Sequence, residues 1–261
     1  MSLTIKKPKF SALCAYDECH EFEAWTANHI YCTDCGCKRK NENKLKRLTQ
    51  PLVTNDEIFE ATEDRKLARA IQRDDRNKWL LENKSFCMFD IETTNLDADV
   101  GWILCASFMP IGGETYTIRG KRDDRSIIDR IRKELYKYDY ICTWYGTGFD
   151  FPFLATRLLL NRKEAIGLIK HIDLYYVARF KFKFFNNRLD NVADGLFGGD
   201  SVKTKLRGSV WYAARSHDRK VRETAIDYIA EHCEKDVEEL GALFQELIPF
   251  KDIQATPLRR F

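Results

Sequence analysis

The chain has 261 residues, 44% of them hydrophobic, which is enough for one large domain or for a catalytic domain with a small appendage. No apolar run reaches the ~18 residues that a membrane-spanning helix needs, and the first residues lack the apolar segment of a signal peptide. We therefore expect a soluble, intracellular protein with no membrane partner. The net charge of +3 is too small by itself to indicate a polyanionic partner.

Residues 1–48 hold five of the nine cysteines. Two close cysteine pairs, with four and two intervening residues, are separated by twelve residues, a spacing typical of a structural zinc site. We therefore predict a zinc-ribbon-like domain in which Zn²⁺ supplies most of the folding free energy. Metal-free cysteines are the competing interpretation, although disulfides are disfavoured inside cells. The predicted zinc ligands are Cys14, Cys19, Cys32 and Cys35, and alternative ligands nearby are His20 and Cys37.

A basic run and a helical connector follow the cysteine block. Between Lys38 and Arg47 six residues are basic and one is acidic, which fits either a solvated surface or a phosphate-contacting patch. The sequence of residues 49–84 predicts a helical connector. Thr54 is the candidate N-cap residue, and Glu57, three residues later, has the spacing of a capping box. Either a small helical pair or one long helix fits this pattern. A DNA-reading helix-turn-helix fits less well, because nothing in the segment demands it.

From residue 85 onwards the pattern alternates between strands and helices. The order β-β-β-α-β-α…α predicts a mixed α/β sheet with helices on its faces. Gly112-Gly113 marks a hairpin turn between the second and third strands. The predicted strands are 86–91, 102–110, 114–119 and 140–145, and the predicted helices are 126–137, 153–161 and 226–247.

Four acidic residues in three separate segments indicate a divalent-metal site. Asp90 and Glu92 end the first strand and share one face of it, because side chains repeat every second residue in a strand. Asp150 follows a glycine-rich bend, and Asp236 lies in the last helix, four residues after His232. Carboxylate oxygens are the ligands that Mg²⁺ and Mn²⁺ prefer. Two such ions ~3.5–4 Å apart can activate a water and stabilise the leaving oxygen of a phosphodiester.

The motifs around these acids resemble those of the DEDD superfamily of 3′–5′ exonucleases, closest to the branch that contains the proofreading domains of family B DNA polymerases. The matching segments are Phe89-Asp90-Ile91-Glu92-Thr93, residues 146–153, Asp173-Leu174, residues 189–193 and residues 236–240. The resemblance covers about two thirds of the chain. It implies a ribonuclease H-like domain over 85–261, with a mixed sheet flanked by helices.

The resemblance also implies a function and a set of site residues. Asp90, Glu92, Asp150 and Asp236 would bind two Mg²⁺ or Mn²⁺ ions, and the enzyme would release nucleoside 5′-monophosphates from a single-stranded 3′ end of DNA or RNA, in DNA repair or RNA processing. The cysteine block would contact the nucleic acid or a partner protein. Two alternatives stay open: a catalytically silent nucleic-acid-binding or scaffold module, and a structure-specific endonuclease on the same fold.

One position departs from the resemblance. The polymerase-like branch has Tyr-x3-Asp in its third motif, and the tyrosine helps to position the attacking water. Here that position is His232, and the His-x4-Asp position of the other branch is Glu231. A histidine accepts a proton near neutral pH, so we predict His232 as the general base. The alternative is that His232 is a surface histidine with no catalytic role and that the active site is weak or altered. Tyr228, one turn earlier, is the second candidate for the base.

Other residues carry weaker predictions. Trp144 and Tyr145 fit either base stacking or the core, and Asp173 and Asp190 fit helix or turn caps better than metal ligands. His171 has no partner that the sequence reveals, and the four cysteines outside the first block fit small buried hydrophobes. Basic residues that fit phosphate contacts are Lys181, Lys183, Lys203, Lys205 and Arg207.

Overall fold

The computed structural model of the protein describes residues 10–13, 21–24, 55–198, 206–253 and 259–260. The chain divides into two units between Lys66 and Leu67. In the first unit, strands β1 (Phe10–Leu13) and β2 (Glu21–Ala24) pair antiparallel. The boundaries 1–48, 49–84 and 85–261 remain predictions. Outside the described residues lie Cys14, Cys19, His20, Cys32, Cys35, Cys37, the basic run 38–47, Lys203 and Lys205.

The connector contains one long helix, α1 (Asn55–Asn83), and not a pair of helices. Its last turns are hydrogen-bonded to the backbone of Lys251 and Ile253. The Asn77 amide donates to the Lys251 carbonyl oxygen at 2.6 Å and accepts from the Ile253 N–H at 3.1 Å. Leu80 is buried one turn later. A buried amide that satisfies two backbone groups fixes this end of the helix, because unpaired polar groups are costly inside a protein.

A mixed sheet forms the centre of the second unit, as the sequence predicts, but it has five strands and not the four predicted. The strand order is β5-β4-β3-β6-β8. Strand β3 pairs antiparallel with β4 and parallel with β6, β4 pairs antiparallel with β5, and β6 pairs parallel with β8. The carboxyl ends of β3, β6 and β8 therefore lie at the same edge. The strands are β3 (Phe86–Thr93), β4 (Ile103–Pro110), β5 (Tyr116–Arg119), β6 (Tyr140–Thr143) and β8 (His171–Asp173).

A separate short pair lies outside the main sheet. Strand β7 (Leu168–Ile169) pairs antiparallel with β9 (Arg259–Arg260). The hairpin between β4 and β5 forms at the predicted glycines. Gly112 has a φ of +75°, which favours glycine, and the Gly113 N–H donates to the Pro110 carbonyl oxygen at 3.0 Å.

Helices pack on both faces of the sheet. Within the described residues no helix is both long and apolar enough to cross a membrane. The last α-helix begins seven residues before its predicted start, because the Asp218 side chain caps it by accepting from the Val221 N–H at 3.0 Å. The helices are α2 (Ile128–Leu135), α3 (Asp150–Leu160), α4 (Leu174–Lys181), α5 (Leu189–Phe197), α6 (Gly208–Ala213) and α7 (Arg219–Leu247), with a 3₁₀ turn at Ile248–Phe250.

Alternation along β3 divides the core into two layers. Phe86 and Met88 pack with residues of α4, α5 and α7, whereas Cys87 and Phe89 pack with residues of α2 and α3 on the opposite face. Because the side-chain period of a strand is two, Asp90 and Glu92 continue the series of Phe86 and Met88. They therefore point to the face that α7 covers.

A buried ion pair connects α3 with the segment that precedes α2. Asp124 is fully buried and accepts from Arg157 Nε at 2.7 Å and Nη2 at 2.9 Å. The Ile103 N–H donates to the same carboxylate at 3.1 Å, and Arg157 Nη1 donates to the Ala98 carbonyl oxygen at 3.0 Å. These bonds join β4, α3 and the segment between β3 and β4, so they support the end of the strand that holds the acidic pair.

Candidate active site

The carboxyl end of β3 and helix α7 face each other across the site. Glu92, His232 and Asp236 are half-buried, and their ligand atoms all lie within 4.8 Å of one another. His232 Nε2 lies 3.9 Å from Glu92 Oε1 and 3.8 Å from Asp236 Oδ2. The predicted helical spacing of His232 and Asp236 therefore does bring both side chains to Glu92. The three side chains form a group with the composition and spacing of a divalent-metal site.

Asp90 has a neighbour that the sequence did not reveal. The thiol of Cys233 on α7 donates to Asp90 Oδ2 at 3.3 Å. Burial raises the pKa of the Cys233 thiol, so the thiol stays protonated and remains a donor. Cys233 is therefore a contact of the acidic site and not only a small hydrophobe. Its position immediately after His232 is the sequence signal that could have identified it.

Asp150 joins the site from the start of α3. It is buried, and its Oδ1 accepts from the Ile91 N–H at 3.1 Å. Ile91 lies between Asp90 and Glu92, so this bond attaches the third acid directly to the strand that holds the first two. The helix begins at Asp150 itself and not after Pro152. The carboxylate therefore lies in the first helical turn, where the helix dipole favours negative charge.

The bend before Asp150 turns for a different reason from the one that its glycines suggest. Tyr145 has the left-handed backbone, with a φ of 65°, whereas neither glycine of the bend has a positive φ. The glycines are required by close approach. A Cβ on Gly146 would lie 2.3 Å from Thr143 Oγ1, and a Cβ on Gly148 would lie 2.4 Å from Cζ of the Tyr145 ring. The bend therefore depends on these glycines for close packing and not for a left-handed backbone.

Asp173, at the end of β8, holds this bend in place. Its Oδ1 accepts from the Tyr145 N–H at 2.9 Å, and its Oδ2 accepts from the Thr147 N–H at 3.0 Å. Both bonds go to the bend, so Asp173 has the predicted role in the turn. His171 does have a partner, since its Nε2 lies 2.7 Å from Thr143 Oγ1. Thr143 in turn accepts from the Gly146 N–H at 3.0 Å.

Two other sequence candidates lie away from the acids. Trp144 packs against the core, and its Nε1 donates to the Asn187 carbonyl oxygen at 3.1 Å, so it is a structural residue. Tyr228 is exposed and lines a groove with Val210 and Thr224, whereas His232 faces Glu92. The geometry therefore favours His232 over Tyr228 as the residue beside the carboxylates.

The carboxylates are crowded in a poorly solvated place. Burial raises the pKa of Asp90 well above its ordinary range, and the charges of Asp150, Glu92 and Asp236 raise it further. Burial likewise raises the pKa of Asp150 to about 7, although the Ile91 N–H opposes the shift. Such a cluster is unfavourable unless protons or cations offset its charge. Oxygen ligands of this kind fit Mg²⁺ or Mn²⁺.

Comparisons with known proteins identify the family of the chain. The family model of the RNase_H superfamily matches residues 87–248, so the chain belongs to the RNase H superfamily. Over 149 residues it is 30% identical to a DNA polymerase of Methanocaldococcus jannaschii, a match that covers 44% of this chain and 9% of the polymerase. It is also similar to the structure of the family B DNA polymerase of Pyrobaculum calidifontis, with a TM-score of 0.49 and 19% identity over 66% of this chain and 27% of that one. The chain thus corresponds to a small part of either polymerase.

Proposed function

We propose that this protein is a metal-dependent 3′–5′ exonuclease that hydrolyses phosphodiester bonds of DNA or RNA by a two-metal mechanism. The observation that carries the proposal is the convergence of four acids from three separate elements at one sheet edge. Asp90 and Glu92 come from β3, Asp150 from α3 and Asp236 from α7. A module that only binds nucleic acid has no use for crowded carboxylates beside a phosphate.

The four carboxylates would hold two Mg²⁺ or Mn²⁺ ions, which supply charge neutralisation at the scissile phosphate and lower the pKa of water. The protein's own contribution is placement. The Ile91 N–H and the Cys233 thiol each hold one carboxylate oxygen, of Asp150 and Asp90 respectively. The Asp173 carboxylate fixes the bend from which Asp150 starts. These bonds orient the ligands before substrate arrives, which lowers the reorganisation required at each turnover.

His232 would orient the attacking water and accept its proton. Its Nε2 lies 3.9 Å from Glu92 Oε1 and 3.8 Å from Asp236 Oδ2. A neutral imidazole in that position can accept a proton at physiological pH. The proposal gives His232 the role of the tyrosine in the polymerase-like proofreading branch, with a side chain that accepts a proton near neutral pH.

The N-terminal block is proposed to bind structural Zn²⁺ through Cys14, Cys19, Cys32 and Cys35 and to contact nucleic acid or a partner protein. Cysteine thiolates at this spacing are typical zinc ligands. Metal analysis of the purified protein tests the first part, since the proposal expects one zinc per chain, and substitution of Cys32 and Cys35 should abolish its retention. An absence of zinc from protein purified without chelators would contradict it.

Degradation of 5′-labelled single-stranded DNA and RNA tests the exonuclease proposal. The reactions contain Mg²⁺, Mn²⁺ or EDTA, and they compare the wild type with Asp90→Asn and with the control Asp75→Asn, an exposed acid of α1. We expect a metal-dependent ladder that shortens from the 3′ end, is abolished by Asp90→Asn and is unaffected by Asp75→Asn. Internal cuts would favour an endonuclease instead. Retained binding without cleavage would leave only a silent nucleic-acid-binding module.

A further inference from the structure

Helix α4 and the segment after it expose large aromatic rings. Phe180 is 72% exposed and Phe185 is 96% exposed, while Tyr175 and Tyr176 are half-buried. Burial of a ring of this size normally contributes about 1.5–3 kcal/mol to stability, so an exposed group of rings marks a surface that something else covers. Not every ring in the segment is free, because Phe182 packs against the core.

Four of the rings form a continuous strip. The ring centroids of Tyr145 and Tyr175 lie 4.8 Å apart, and those of Tyr175 and Tyr176 lie 5.2 Å apart. Tyr176 and Phe180 stack with centroids 5.8 Å apart and planes inclined by only 14°. The aromatic strip, defined as Tyr145, Tyr175, Tyr176 and Phe180, thus presents successive ring surfaces from the active-site bend to the end of α4.

The surroundings of the strip are basic. Residues 174–188 contain Arg179, Lys181, Lys183 and Arg188 and no acidic residue. The Arg179 guanidinium lies 6.0 Å from the Tyr175 ring centroid and 5.9 Å from that of Phe180, and its Nη1 donates to the Tyr175 hydroxyl at 2.9 Å. Flat apolar faces combined with positive charge match a chain of bases joined by phosphates. An apolar helix of a partner protein would use the rings but would have no use for the charge.

The strip begins where the carboxylate site ends. Tyr145 N–H donates to Asp173, and Tyr145 belongs to the bend that leads to Asp150. Strands β3 and β8 are separated only by β6, and all three run parallel. Met88 pairs with Cys142 and Cys142 pairs with Ile172, so α4 starts about 10 Å from Asp90. A strand with its 3′-terminal phosphodiester at the carboxylates therefore reaches the strip within a few nucleotides.

We propose that the aromatic strip and its basic flanks bind the substrate strand by stacking on the bases a few nucleotides upstream of its 3′ end. This inference rests on the proposed exonuclease function, and it adds the place where single-stranded nucleic acid is held. Stacking tolerates any base, because every base has a flat π face. The surface would thus give affinity for single strands without preference for sequence.

Binding of short 5′-fluorescent single-stranded oligonucleotides, measured by anisotropy in buffer without Mg²⁺, Mn²⁺ or a chelator, tests the proposal without catalysis. The variant is Phe180→Ala. The matched control is Trp79→Ala, which removes an aromatic side chain of similar exposure from α1. Loss of one stacking partner should weaken binding about tenfold in the variant, and the control should bind as the wild type does. Arg179→Gln should also reduce the salt dependence of binding by the equivalent of about one phosphate contact.

Oligonucleotides with a single abasic position, moved stepwise from the 3′ end, locate the contact. We expect wild-type binding to weaken at one or two upstream positions and Phe180→Ala to be insensitive at the same positions. Equal affinity of Phe180→Ala and Trp79→Ala, or an equal abasic penalty in both, would overturn the proposal, as would failure of the wild type to bind single strands. A failed exonuclease ladder with intact, Phe180-dependent binding would instead refute catalysis alone.

Discussion

Replacement of Asp150 by Asn should stabilise the metal-free protein above neutral pH. Asp150 is 2% exposed, and burial raises its pKa from the ordinary 3.8 to about 7. A group with a raised pKa binds its proton more tightly in the folded chain than in the unfolded chain, so stability falls as the pH rises from about 4 to about 7. Asparagine keeps the acceptor for the Ile91 N–H but has no charge.

The magnitude follows from the pKa. Each tenfold change in proton affinity corresponds to about 1.4 kcal/mol, so the ionised carboxylate costs at most about 4 kcal/mol above pH 7. Relaxation of the neighbouring acids reduces this value. We therefore expect Asp150→Asn to raise the free energy of unfolding by about 2–4 kcal/mol at pH 8 in EDTA, and most of the difference to disappear by pH 5.

Urea unfolding of the wild type, Asp150→Asn and the control Asp75→Asn, with EDTA or Mn²⁺, measures this effect. Mn²⁺ should stabilise the wild type, because it binds the folded state, and should stabilise Asp150→Asn much less. A lower stability of Asp150→Asn than of the wild type at pH 8 in EDTA would show that the ionised Asp150 carboxylate does not destabilise the fold. Equal stabilisation of both proteins by Mn²⁺ would show that Asp150 is not a metal ligand.

Three further substitutions probe separate parts of the structure. Gly146→Ala forces its Cβ against Thr143, so urea unfolding should show a free energy of unfolding lower by about 2 kcal/mol or more. Unchanged stability would contradict the close contact. Arg157→Gln leaves the buried Asp124 charge without its partner, so thermal unfolding should reveal a loss of about 3–5 kcal/mol with Mn²⁺ affinity retained. His232→Phe should lower the single-turnover hydrolysis rate about 100-fold or more. A rate within threefold of the wild type would exclude His232 as the base. A loss of Mn²⁺ affinity in this variant would show that His232 is a metal ligand instead.

The sheet and the acidic set could largely be predicted from the sequence. The strands that contain Phe89, Phe108 and Tyr140 have buried apolar runs with clear ends, and such runs leave little choice of structure. Helical spacing also placed His232 and Asp236 on one face correctly. These features depend on local periodicity, which a single sequence displays directly.

The remaining features depend on contacts between distant residues. Strand β8 has three residues, too few for a visible alternation, yet its Asp173 holds the bend 26 residues earlier. The left-handed Tyr145 has no sequence signal, because the neighbouring glycines offer an easier place for such a backbone. The contact of Cys233 with Asp90 spans 143 residues and appears only once α7 lies on β3.

Anomalous scattering from crystals soaked with Mn²⁺ tests the two-metal claim most directly. We expect two manganese peaks about 3.5–4 Å apart, contacted between them by Asp90, Glu92, Asp150 and Asp236, and the loss of at least one peak in Asp236→Asn. A wild-type crystal with no manganese at this edge of the sheet, or with a single ion at Glu92, His232 and Asp236 alone, would contradict it.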